Sequence, residues 1–306
     1  MNAADSSPGS PSTGSAPAPV EPSGGVAPPD TAVPLDAADT RGKHFRSQLG
    51  SPLTLSLGSV LVIGAFVAGA MGAGPAVGAA AAAGAILLIL LIVFVLASNA
   101  AKEDFYSAYA GARGLHRIPG QSSLPPSTPL LRKGDKRYAD QVMNGTLPGG
   151  SPGALALYTY EEETRDSDGN RNTSYYRFTV VLHDVPAVAS KVSDVLCQRR
   201  SGFRFMDGAE DAFRRMKRLE LESDALDRRY EIFYGADDDE NWMKQLFSPS
   251  FIVWLTERPP KDFAFELSAG SLCVNTKGHR EEAADLDELC KAASQVARRL
   301  AGEATG

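Results

Sequence analysis

Residues 47–101 contain no Asp, Glu, Lys, Arg or His, an uninterrupted run of 55 positions. Nothing else in the sequence restricts the fold so strongly. A run this long without an ionisable side chain suits the interior of a bilayer, where a helical span takes about 20 residues. It divides into residues 53–71 and 76–98, with Gly72-Ala73-Gly74-Pro75 as the turn. So short a turn forces an antiparallel transmembrane hairpin. Ala65 and Gly69 in the first helix, and Gly74, Gly78 and Ala82 from the turn into the second, recur at four-residue spacing. Small residues at that spacing let helix backbones approach closely. They serve packing within the hairpin and leave a homo-oligomer open as well. Neither helix offers an ionisable group for an ion or proton pathway.

Flanking charge sets the orientation. Arg41, Lys43 and Arg46 precede the first helix, Lys102, Arg113 and Arg117 follow the second, and the turn is uncharged. Both termini are therefore expected in the cytoplasm, at the cell (inner) membrane. Residues 1–50 form a Pro-, Ala-, Ser- and Gly-rich tail with too few apolar side chains to order itself. The tail lacks the basic and apolar regions of a cleavable signal peptide. Residues 101–152 read as a juxtamembrane helix followed by a basic, Pro-rich linker. Phe105, Tyr109 and Ala112 lie on one face of that helix. This stripe has two possible resting places, the headgroup layer or the folded domain. In the linker, Arg132, Lys133, Lys136 and Arg137 place four cations within six residues, a candidate contact for anionic lipid.

The folded domain is expected over residues 153–302. Residues 151–306 carry 28 acids and 21 bases, a net charge of −7. That balance speaks against nucleic acid, since phosphate binding needs clustered cations. Cys197, Cys273 and Cys290 form no CxxC pair and read as small thiols in a reducing compartment. Period-two alternation dominates the domain. It is strongest at residues 155–160 and 176–182, joined by Asp166-Ser167-Asp168-Gly169-Asn170 as a hairpin turn. Further strands are expected at 195–199, 218–222, 230–234, 263–267 and 272–275, the last two joined by a second hairpin. Helices are expected at 238–247, after Ser248-Pro249, and at 281–300, where Leu286, Leu289, Ala293, Val296 and Leu300 make an apolar stripe. The expected class is α+β, with a mostly antiparallel sheet and a C-terminal amphipathic helix. A pleckstrin-homology-like barrel is the alternative.

Chemistry is sparse. The chain has no HExxH, Walker A loop, dinucleotide-binding glycine pattern or kinase signature. Asp166, Asp168, Asn170 and Asn172 imitate the start of a calcium loop, but Arg177 stands where the bidentate Glu is needed. His183 shares a strand face with Arg177 and Thr179, which suggests the wet side of the sheet. Glu220 and Glu222 fall on one face of the 218–222 strand. With Glu266 they are the carboxylates available for acid–base work. No metal and no cofactor is expected.

A likeness rests on Leu219-Glu220-Leu221-Glu222-Ser223, Arg229-Tyr230-Glu231-Ile232 and Leu246-Phe247-Ser248-Pro249-Ser250-Phe251. Tyr109-Ala110, Arg113-Gly114-Leu115 and Thr128-Pro129-Leu130-Leu131 add to it. On these segments the chain resembles the two-helix membrane proteins of actinobacteria, a family with a cytoplasmic domain of unknown function. The resemblance covers about residues 50–300. It implies the topology and implies no reaction. The functional expectation is a membrane-anchored interaction or regulatory module with a protein partner. The alternatives are a membrane-surface enzyme using the carboxylates and an oligomeric envelope scaffold.

Overall fold

The computed structural model of the chain describes residues 52–166, 169–200 and 215–305. The N-terminal tail, its cations Arg41, Lys43 and Arg46, and Asp168 of the hairpin turn lie outside the described residues.

Two helices come first. Helix α1 spans Pro52–Ala73 and α2 spans Pro75–Ala112, separated by Gly74 at φ 97°. Glycine adopts that angle without steric cost, and Pro75 at the first helical position is preset for the turn into α2. The two helices pack on each other. A Cβ on Gly78 would lie 2.6 Å from the Phe66 carbonyl oxygen, and one on Gly69 would lie 2.9 Å from the Gly78 Cα. Their contact therefore requires glycine. Helix α2 is the one described helix long and apolar enough to cross a membrane. Its 18-residue apolar window has a mean hydropathy of 3.0 and is 6% buried. The corresponding stretch of α1, Ser59–Gly72, is shorter.

Helix α2 does not end where its apolar segment does. Phe105, Tyr106, Tyr109 and Ala110, near its C-terminus, are buried in the domain core. The Tyr106 hydroxyl donates to the Arg280 carbonyl at 2.7 Å, and the Tyr109 hydroxyl donates to Asp287 at 2.9 Å. Arg113 grips both oxygens of Asp287 at 2.6 Å. The aromatic stripe thus packs on the folded domain.

Among the described residues nine strands form one antiparallel sheet. They are β1 (His116–Ser122), β2 (Lys136–Thr146), β3 (Pro152–Arg165), β4 (Arg171–Asp184), β5 (Asp194–Arg199), β6 (Met216–Arg218), β7 (Tyr230–Gly235), β8 (Ala264–Ser268) and β9 (Ser271–Lys277). Their order is β1-β2-β3-β4-β9-β8-β5-β7-β6. Strands β1 and β6 are the two edges, so the sheet is open and the alternative barrel is not formed. The remaining α-helices are α3 (Pro129–Arg132), α4 (Asp224–Asp227), α5 (Glu240–Leu246), α6 (Pro249–Glu257) and α7 (Ala283–Thr305).

Local chemistry explains the joints. The β3–β4 hairpin keeps one register from Ala154↔Leu182 to Arg165↔Arg171, and Asp166 accepts from the Asn170 N–H at 2.8 Å in its turn. In the β8–β9 hairpin, Ala269 and Gly270 have φ of 47° and 81°, the double positive angle of a type I′ turn. Asp239 caps α5 through the Asn241 N–H, and Pro249 opens α6 at its first position.

Each sheet face has its own core. One face, with Leu155, Leu157, Val181 and Val274, is covered by the end of α2 and by α5, α6 and α7. All five stripe residues of α7 are buried there. The other face, with Ala156, Tyr158, Tyr160, Phe178 and Val180, lies under Leu130 and Leu131 of α3.

Three expectations need correction. The segment read as a linker over 101–152 holds β1, α3 and β2, so the domain begins before residue 153. Its strand pattern is interrupted by a bulge between Asp140 and Met143, where Gln141 takes φ 56°. Pro119 fits β1 because that strand is an edge. The strand expected at 218–222 ends at Arg218, since Ser223 turns the chain and caps α4. His183 and Thr179 are 3% and 0% exposed, so their face is core and not the wet side.

Replacing Asp287 by Ala would leave the Arg113 guanidinium and the Tyr109 hydroxyl without their acceptor. Asp287→Ala is expected to destabilise the domain by roughly 2 kcal/mol. Thermal melting of the purified full chain should show the loss, together with faster proteolysis around Gly114.

Candidate functional site

A cleft of about 350 Å3 opens where α2 meets the sheet. Asn99, Lys102, Glu103 and Tyr106 form its helical wall, at i, i+3, i+4 and i+7. Its floor is two cross-strand rows on β2, β3 and β4. Tyr138, Thr159 and Arg177 make one row, and Asp140 and Leu157 begin the next. His279 and Glu281, between β9 and α7, close the remaining side.

Most of its charges are already engaged. Lys102 pairs with Glu281 at 2.8 Å. Glu103 pairs with Arg117 and accepts from the Gln141 amide at 2.8 Å. The Arg117 and Gln141 hydrogen bonds hold the Glu103 carboxyl below its ordinary value. His279 is pushed down to about 4 by burial, so its ring is neutral near pH 7. Its Nε2 lies 3.3 Å from both the Tyr158 carbonyl and the Thr159 hydroxyl. The carbonyl can only accept, which puts the ring proton on Nε2.

Two groups are not engaged. Asp140 is half-buried and has no hydrogen-bond or ion-pair partner among the described residues. Burial raises its carboxyl, against the pull of the Lys102 charge. Arg177 is exposed and rests 5.8 Å from the Tyr175 ring, with no ion pair among the described residues.

The residues singled out from the sequence fall elsewhere. Glu220 and Glu222 follow β6 in irregular chain, and both are exposed. Glu266 lies on β8 and is 0% exposed, so the three carboxylates do not share one site. Arg132 donates to the Pro126 and Ser127 carbonyls, and Arg137 donates to the Arg132 carbonyl. Lys136 pairs with Glu163 at 3.2 Å and with Glu161 at 3.9 Å. Lys133 is 7% exposed, with its ammonium 6.0 Å from the Tyr160 ring. This cluster fastens the strap around α3 to the sheet. Among the described residues no group of three His, Cys, Asp or Glu is placed to hold a metal ion. Cys197, Cys273 and Cys290 are buried and free, and burial raises each thiol.

Under the strap, Glu266 Oε2 accepts from the Leu130 N–H at 2.8 Å, and the Tyr158 hydroxyl donates to the Leu130 carbonyl at 3.2 Å. Burial pushes Glu266 up to about 7, against the pull of the Leu130 N–H, the Thr128 side chain and the charges of Lys133 and Arg132.

No known family profile and no curated protein matches this chain. A solved structure, the mycobacterial trehalose monomycolate transport factor A, is similar at a TM-score of 0.40 and 8% identity, over 65% of this chain and 91% of that one. A likeness of that size assigns neither fold nor activity.

The folded state holds a proton on Glu266 up to about pH 7, whereas the unfolded chain releases it near 4.5. The resulting stability is present below about pH 4.5 and is lost as pH rises to about 7. It amounts to about 3 kcal/mol across that window. Glu266→Gln is expected to remove this slope and to leave the protein more stable than wild type at pH 8. Melting curves of the purified full chain between pH 4.5 and 8 test it, and parallel slopes in the two proteins would sink the assignment.

Proposed function

We propose that this chain is a membrane-anchored cytoplasmic binding module whose cleft faces the headgroup layer of the cell (inner) membrane. In this reading α1 and α2 form an antiparallel hairpin that crosses the bilayer twice, with both termini in the cytoplasm. Kinship with the two-helix membrane proteins of actinobacteria belongs to the same reading. One observation carries it: α2 runs without a break from an exposed apolar segment into the domain core. The anchor and the domain are thus one body, and the cleft residues of α2, Asn99 to Tyr106, lie within about two turns of the end of the apolar segment. The glycine contact between α1 and α2 supports a hairpin, because those small residues face each other. The three buried thiols suit a reducing compartment. Binding is favoured over catalysis by the cleft itself, since His279 is spent on a backbone carbonyl and Glu103 on an arginine.

Topology is testable with a membrane-impermeant maleimide, because the native thiols are buried and give little background. Ala76→Cys, at the hairpin turn, should be labelled from outside intact cells, whereas Ser190→Cys in the domain should be protected. The reverse pattern would overturn the orientation. Cross-linking affinity purification from native membranes tests the module. The full chain is compared with one ending at Gly114, which removes the whole sheet. Protein or lipid recovered only with the full chain is the expected result. Identical recovery from both chains would end the reading.

A further inference from the structure

Asp140 and Arg177 are two opposite charges in one cleft, and they do not pair with each other. They stand on β2 and β4, two strands and one residue pair apart on the same face. Strand spacing and rise put their Cα atoms roughly 12 Å apart. Among the described residues no salt bridge joins the two side chains across that gap. With Arg177 reaching in from one side, the gap matches a ligand carrying an ammonium at one end and a phosphate a few bonds away. Such a zwitterion is either free in solution or the headgroup of a lipid.

The wall of the cleft chooses between these sources. Asn99, Lys102, Glu103 and Tyr106 occupy one face of α2. The same face continues into the apolar segment as Val95, Ile92 and Leu88, all exposed. From Val95 to Lys102 is about 10 Å along the helix axis. A ligand whose polar end fills the cleft therefore finds, directly above it, an apolar track along which an acyl chain can lie. A soluble zwitterion would use the cleft and leave the track bare.

We propose that the cleft binds the headgroup of a zwitterionic phospholipid of the ethanolamine class, its ammonium on Asp140 and its phosphate on Arg177. The acyl chains run along Val95, Ile92 and Leu88. Tyr138, on the same face as Asp140, supplies an aromatic ring and a hydroxyl beside the ammonium. A half-buried carboxylate without a partner is costly, and a ligand ammonium removes that cost. The assignment rests on the membrane-anchored reading.

The test uses the full chain in nanodiscs of equal phosphatidylethanolamine and phosphatidylglycerol, followed by detergent extraction and native mass spectrometry of the retained lipid. Wild type is expected to retain phosphatidylethanolamine about fivefold over phosphatidylglycerol, the scale of one partly desolvated ion pair. Asp140→Asn should erase the preference, and Arg177→Gln should lower retention of both lipids. Neither variant should melt well below wild type, since neither side chain has a hydrogen bond or ion pair among the described residues, and Asp140→Asn is relieved of the cost of the half-buried charge. Equal retention of the two lipids by wild type, or an undiminished preference in Asp140→Asn, would overturn the proposal. A second arm adds dissolved phosphoethanolamine to delipidated full chain and reads the melting temperature. No shift is expected. A shift abolished by Asp140→Asn would reassign the cleft to a soluble zwitterion and overturn the lipid. Alkaline carbonate extraction separates this proposal from the reading beneath it. Release of the chain would remove both, whereas retention without lipid preference would remove the headgroup site alone.

Discussion

The seating of the end of α2 in the domain core governs the rest of the structure. Phe105, Tyr106 and Tyr109 bring large apolar area to the core, and burial of such area is the main favourable term in folding. The two tyrosine hydroxyls and the Arg113 guanidinium would be expensive to bury unpaired. Asp287 and the Arg280 carbonyl answer them from α7 and its approach. The position of α7 over the sheet is thereby tied to a helix that begins at Pro75, far outside the domain. The cleft is a by-product of this arrangement. It is the space left where the helix leaves the sheet, and its lining comes from both.

Much of the fold was legible in the sequence, and the reasons it was legible are local. Asp166 and Gly169 give a turn chemistry that only a hairpin satisfies well. The stripe from Leu286 to Leu300 has a helical period that no strand can share. Strands β1 and β2 were not legible. The bulge at Gln141 puts consecutive residues out of the period-two pattern, and Pro119 reads as a breaker unless the strand is known to be an edge. The extent of β6 was misjudged because Leu219 and Leu221 continue an alternation that the Ser223 cap then ends.

The site was less legible than the fold, again for a physical reason. Asp140, Arg177 and His279 come from β2, β4 and the β9–α7 connection, and only the sheet brings them together. Glu220 and Glu222 lie two positions apart and alternate with leucines as in a strand, yet they end in solvent. Glu266 was visible as a carboxylate, but its burial under the strap depends on the pairing of β8 with β5 and β9. The basic run from Arg132 to Arg137 was visible as charge. Its use in holding backbone carbonyls of the strap depends on the turn conformation around α3.

The unbroken course of α2 has a mechanical consequence. A helix that anchors a domain through a flexible joint leaves the domain free to wander, whereas this one makes the tilt of the anchor the tilt of the domain. In the membrane-anchored reading that tilt is set by the thickness of the hydrocarbon layer and by packing against α1. The domain then behaves as a pointer fixed to its shaft. In that reading, wherever the bilayer thins or thickens, the far edge of the sheet at β6 swings toward or away from the surface.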